Sequence, residues 1–283
     1  MLVIFVMLAA HDPNPMHHVQ DSSVWEFFDR MAGDKVELQL PHLFGFQITK
    51  FMLLELLAAG LILAIYIPLA RRAANGALPK GPWWNCFESL LTFIRNEVAR
   101  PNLGEHDADR FVPFLWTLFL FILFCNLLGL FPFLGSPTAS IWMTGGLALC
   151  SFIMFHGPPI AKKGVVGYFK SIWPHIDVPY VGILFSILIF TIEMLGTVIK
   201  SGVLAVRLFA NMFAGHMVLA MLLLFIFQVG KNGFTLLWPV VTISSVLGVV
   251  ALSLLELFVG FLQAYVFTFL TALFMGMSLH PEH

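Results

Sequence analysis

Residues 193–216 read EMLGTVIKSGVLAVRLFANMFAGH. Most of the stretch is apolar, yet it carries Glu193, Lys200, Arg207, Asn211 and His216 inside a longer apolar run, 181–229. A charged side chain at a helix centre in lipid costs about 2.5–3.5 kcal/mol on insertion scales, so such groups face protein or water and mark ion paths. Glu193, Lys200 and Arg207 recur every seven residues. On a helix they form one stripe that drifts by about 20° per step. Asn211, four residues after Arg207, extends that stripe. His216, nine residues after Arg207, points to the opposite side. A second apolar run, 236–275, answers this one. In it Ser253, Glu256, Gly260 and Gln263 follow i, i+3, i+7, i+10 spacing, which puts them on one helix face.

Composition sets the class independently of these polar groups. The chain is 59% hydrophobic and 11% charged, with a mean hydropathy of +0.89. Those values describe an all-α protein that crosses a membrane several times, with the lipid bilayer as its surroundings. A net charge of −1 offers no basic surface to nucleic acid. Cys86, Cys125 and Cys150 show no metal-ligand spacing and read as small buried hydrophobes.

Along the chain, Met1 to Ala10 is apolar but too short to span; it reads as a signal-like start, although no basic residue precedes it. The segment 1–50 reads as extracytoplasmic. His11, Asp12, His17, His18 and Asp21 are irregularly spaced around two prolines and read as a solvated tail, not a metal site. A first span covers 51–69, with Glu55 near its start. An amphipathic helix follows over 83–100, whose Trp83 and Trp84 suit an interface. Pro101 to Asp109 reads as a polar loop, and 111–155 as a hairpin of two apolar arms. Asn126, in the first arm, reads as a hydrogen-bonding group to a neighbouring helix. Two long segments, 179–229 and 235–277, close the membrane domain, joined by GKNG at 230–233 and followed by a tail over 278–283. Each is about twice the length that crosses the hydrocarbon core upright. No charged loop interrupts either one, so both read as strongly tilted helices.

That makes five crossings and one interfacial helix. Arg71, Arg72, Lys80, Lys162, Lys163 and Lys170 follow spans one and three. The positive-inside bias then places the N-terminus outside and the C-terminus in the cytoplasm.

Several stretches together resemble subunit a of the rotary, F-type ATP synthases. They are RLFANMFAGH at 207–216, LLELFVGFLQAYVFTFL at 254–270, FESLLTFIRNEVARPNLG at 87–104 and NLLGLFPFLGSPTASIWMT at 126–144. The similarity runs from about Trp83 to Met277, and the first eighty residues match only loosely. It implies a stator in a bacterial inner membrane that offers two proton half-channels to a ring of c-subunit proteolipids and is held by the b peripheral stalk. It implies no cofactor, and it places ATP chemistry on partner subunits. The resemblance gives Arg207 two roles: displacing the proton from a rotor carboxylate and separating the half-channels. A guanidinium suits both, because it stays charged in proteins.

His216 and Glu256 would be relays, since imidazole titrates near neutrality and a carboxyl removed from water moves towards it. Many bacterial relatives carry the two residue types exchanged. Asn211 and Gln263 would line the water paths, with helix–helix hydrogen bonding as the alternative. Glu193 and Lys200 would form the mouth of the inner half-channel, or a structural ion pair. Two competing classes remain. A secondary transporter would show internal repeats and broken helices. A structural subunit of a respiratory complex would need no arginine at mid-membrane.

Overall fold

The computed structural model describes residues 24–25, 38–39, 42–43, 46–75, 81–131, 135–172, 182–231 and 237–279. The apolar start 1–10, the His11–Asp21 tail, Lys80 and the end 280–283 lie outside the described residues. Two antiparallel pairings of two residues each lie before the first span: β1 (Val24–Trp25) with β2 (Leu38–Gln39), and β3 (His42–Leu43) with β4 (Phe46–Gln47). The rest is helical: α1 (Lys50–Ala74), α2 (Pro82–Phe93), α3 (Arg100–Gly129), α4 (Ile141–Ile172), α5 (Gly182–Lys231) and α6 (Leu237–Leu279). Among the described residues, five helices are long and apolar enough to cross a membrane.

Local chemistry sets the ends and breaks. The Thr49 hydroxyl accepts from Met52 N at 3.4 Å and caps α1, while Arg71 and Arg72 oppose the dipole of its last turn. Pro82 opens α2 at a position where its missing N–H costs nothing. Between α2 and α3, residues Ile94–Ala99 form wider π turns, and Arg100 N bonds Arg95 O. Pro101 accounts for them. It cannot donate to the carbonyl four residues back and its ring crowds that carbonyl.

The polar stretch 101–109 is therefore not a loop, as its composition suggests. It is helical and broken at one residue, Gly104, at φ 76°. The second hairpin arm also continues beyond Phe155. It runs to Ile172 with a single break at Gly164, φ 72°. Gly230 and Lys231 remain in α5, so the GKNG turn begins later than its sequence suggests. α5 is an unbroken helix of 50 residues and α6 one of 43. At 1.5 Å per residue these are about 75 and 65 Å long, more than twice a hydrocarbon core of about 30 Å.

The chain divides into two compact units. One comprises 1–78, 120–141 and 208–264. Its centre is Asn126, 1% exposed, whose amide donates to Gly260 O at 2.9 Å and whose carbonyl accepts from the Thr138 hydroxyl at 2.8 Å. Thr138 also shares a hydrogen bond with Ser136. The lone amide of this arm thus ties α3 to α6 and to the turn Pro137–Ala139.

The other unit comprises 79–119, 142–207 and 265–283. Here Trp116 Nε1 donates to Leu91 O at 2.8 Å, and Asp109 accepts from Arg95 at 2.8 and 3.0 Å, which fixes α2 against α3. Lys162 bonds both oxygens of Asp107 at 3.1 Å. Phe155 meets Phe274 edge-on, and a Cβ at Gly276 would come within 2.0 Å of Asn102 O. α6 lies against that carbonyl because residue 276 has no side chain.

The cysteines require a correction. Cys125 is buried, but Cys86 and Cys150 are exposed on the chain surface. α2 buries none of its residues, and α4 turns one face outward, where a thiol faces lipid as readily as core.

Candidate functional site

The sequence-derived polar residues fall into two sets, one in each unit. In the first, α5 contributes Asn211 and His216, and α6 contributes Glu256 and Gln263. His216 Nδ1 lies 3.4 Å from Glu256 Oε1, and the two side chains are 14% and 5% exposed. Both Glu256 oxygens, His216 Nε2 and Gln263 Nε2 are buried without a hydrogen-bond partner among the described residues. In an apolar surrounding each such atom costs about 1–3 kcal/mol, so this concentration of them is a feature of use rather than of stability. An acid and an imidazole in contact can pass a proton in either direction. Gln263 is 3% exposed and Asn211 half-buried; neither titrates, and both can hold water or orient neighbours.

The i, i+3, i+7, i+10 face is present as an inward face: Glu256, Gly260 and Gln263 are buried and Ser253 is half-buried. The Ser253 hydroxyl is occupied by Val249 O at 2.8 Å.

One residue of this site escapes sequence reasoning. A Cβ at Gly215 would stand 2.6 Å from Glu256 Oε1, so the glycine makes room for the carboxylate. Its only sequence signal is its place before His216.

In the second unit, Glu193, Lys200 and Arg207 are all exposed on α5. Their neighbours Leu195, Val198, Ile199, Val203 and Val206 are exposed too, each at 47% or more. The stripe therefore lies on an open apolar face. Lys200 Nζ sits 5.1 Å over the Phe274 ring, a cation–π contact, so a Glu193–Lys200 ion pair is not what holds it. Arg207 lies near the middle of the apolar window Phe185–Leu222. Among the described residues it forms no ion pair.

Comparison with known proteins finds one family along most of the chain. The family described as "ATP synthase A chain" matches residues 52–276. A protein named "ATP synthase subunit a" from Myxococcus xanthus is 38% identical over 259 residues, covering 89% of this chain and 79% of that protein. "ATP synthase subunit a 2" from Chlorobaculum tepidum is 40% identical over 271 residues, 93% of this chain and 72% of that protein. "ATP synthase subunit a" from Chloroherpeton thalassium is 35% identical over 284 residues, 96% and 80% respectively.

Proposed function

We propose, from the premise that this chain belongs to the ATP synthase A chain family, that Arg207 is the fixed charge past which a rotor carboxylate is driven. The chain is a multi-pass membrane protein of the ATP synthase membrane sector, the non-catalytic stator that conducts protons. It is not a secondary transporter or a subunit of a respiratory complex.

One observation carries the assignment of Arg207. An obligate cation stands on the open, otherwise apolar face of α5 at mid-window, and among the described residues it forms no ion pair with an acid. Lipid opposes it there, and a carboxylate brought by another chain satisfies it. The partner chemistry that fits is an apolar helix with one carboxylate, repeated around a ring of c-subunit proteolipids. Each carboxylate meeting Arg207 is held ionised, so its proton must leave first. The same positive charge blocks direct proton passage between the two access paths.

His216 and Glu256 relay protons on the outer path, beside Asn211 and Gln263. Glu193 and Lys200 line the mouth of the inner one. α5 and α6 lie steeply inclined, which fits their length to the bilayer and keeps the stripe beside the ring over a long arc. The first span, the interfacial helix and the hairpin anchor them and meet the b stalk. The N-terminus faces out and the C-terminus faces the cytoplasm of a bacterial inner membrane.

Cysteine placed at Val206 tests the rotor contact. In membranes containing the whole complex, oxidation should cross-link it to a proteolipid bearing a cysteine near its carboxylate. A control cysteine at Val166, 81% exposed on α4, should give no such product. Equal cross-linking at both positions, or none at Val206, contradicts the assignment.

A further inference from the structure

We propose that Phe274 is a positioning residue for proton transport, whose ring seats the Lys200 ammonium as a second fixed charge on the rotor-facing stripe. The proposal rests on the reading of α5 as the rotor face.

Lys200 stands a few residues from the middle of the apolar window Phe185–Leu222. Lipid opposes an ammonium there unless something holds it. The acid on its own stripe, Glu193, lies seven residues back. Two helical turns, about 10.5 Å of rise, separate the two. Among the described residues neither of them forms an ion pair.

What holds Lys200 is a ring. Its Nζ lies 5.1 Å over the centroid of Phe274 on α6. The negative face of an aromatic ring attracts a cation within about 6 Å. Phe274 is itself fixed. The Phe155 ring of α4, 3% exposed, meets it edge-on at 5.6 Å. Two residues further on, Gly276 lies against Asn102 O of α3. The seat is therefore braced by α3 and α4 before α5 lays its lysine on it.

The kind of contact matters. An ion pair with a carboxylate would cancel the charge of Lys200 and occupy its N–H donors. A ring face is uncharged, so the ammonium keeps its full charge, and donors not turned to the ring remain for another partner. The four-carbon stem of a lysine is flexible, and the ring restricts where its charge can go.

Position gives that charge its use. Lys200 lies between Glu193 and Arg207, seven residues from each. A rotor carboxylate moving between Arg207 and the inner path at Glu193 passes it. A fixed cation there favours the ionised carboxylate, so the charged group does not cross an apolar gap between the arginine and the inner path.

The test uses vesicles holding the whole complex, with complex recovery measured for each variant. Phe274→Leu keeps an apolar side chain and removes the aromatic face. It should lower ATP-driven proton pumping about fivefold, the change that one cation–π contact corresponds to. Phe274→Tyr restores the face and should pump within about twofold of the parent. Lys200→Gln should lose at least as much as Phe274→Leu. Adding Phe274→Leu to Lys200→Gln should cost less than about twofold more, because the ring acts only through the lysine. A ring that merely packs α4 against α6 predicts the same loss in both backgrounds. That result overturns the seat, as does parental pumping by Phe274→Leu or Lys200→Gln, or a Tyr variant no better than the Leu one. Should Phe274→Leu not assemble, replacing Phe274 by pentafluorophenylalanine decides. The ring is kept and its face turns positive, so about fivefold loss supports the seat and parental pumping overturns it. Arg207→Ala in the same vesicles separates the two readings. If it is inactive while Phe274→Leu pumps like the parent, the seat falls and the stator reading stands. If it pumps normally, the stator reading fails and the seat with it.

Discussion

α3 and α5 are both apolar crossings, but 61% of the α3 window is buried within the chain against 11% of the α5 window. α3 is a helix this protein completes by itself. The amide of its apolar window, Asn126, finds partners on α6 and the hairpin turn. α5 is left open, and its cations stand on the open side. The difference separates a helix packed within the chain from one left open: what α3 needs is inside the chain, and most of the α5 window is not covered by the described residues. In a membrane the driving force between helices is packing and hydrogen bonding rather than escape from water, so a polar group's partner says what its helix is for.

The contrast predicts a ranking of stability effects, each read as the shift in thermal unfolding of the detergent-solubilised protein. Gly276→Leu heads it. The new side chain must displace the Asn102 backbone, at a cost of about 3 kcal/mol or more, and a loss below about 1 kcal/mol would mean the approach of α6 is not as close as described. Ile122→Ala, at a fully buried position of α3, should cost about 2–4 kcal/mol. Asn126→Leu strands Gly260 O and Thr138 and should cost about 1–3 kcal/mol. Val203→Ala, on the open face of α5, should stay within about 0.5 kcal/mol while weakening rotor contact. Equal destabilisation by the α3 and α5 substitutions would erase the distinction between the two helices.

The inward pair sharpens it from the side of function. Glu256→Gln should slow ATP-driven proton transport about a hundredfold, since it removes a titrating group from a path of low dielectric. His216→Glu combined with Glu256→His should retain more transport than either single change. A double variant no better than the worse single one would show that the two positions do not act as a pair.

The parts of this molecule visible in its sequence were those with a period. The apolar lengths mark the crossings, and the seven-residue recurrence sets Glu193, Lys200 and Arg207 on one face. The spacing of Glu256, Gly260 and Gln263 sets them inward, opposite His216. What stayed hidden was set by single residues or by distant ones. Gly104 and Gly164 break otherwise continuous helices, and a glycine carries no sign of the φ it will adopt. The 101–109 stretch is polar enough for a loop, yet it is helical and held by Arg95–Asp109 and Lys162–Asp107. His156 meets Tyr168 across the Gly164 break. The Asn126–Gly260 bond spans 134 residues, beyond any local pattern. For the site, sequence named the charged actors and missed Gly215, whose contribution is the volume it lacks.

Arg207→Ala tests the account's central claim most directly, through proton flux in vesicles holding the assembled complex, with and without ATP. The account predicts that ATP-driven pumping is abolished. It also predicts a passive leak through the membrane sector, because no fixed charge then separates the access paths. Arg207→Lys should also lose pumping but leak less than Ala, since a compact ammonium keeps the charge and lacks the planar fork for a carboxylate. Normal ATP-driven pumping by an assembled Arg207→Ala complex would contradict the role given to this residue and the proton path built around it.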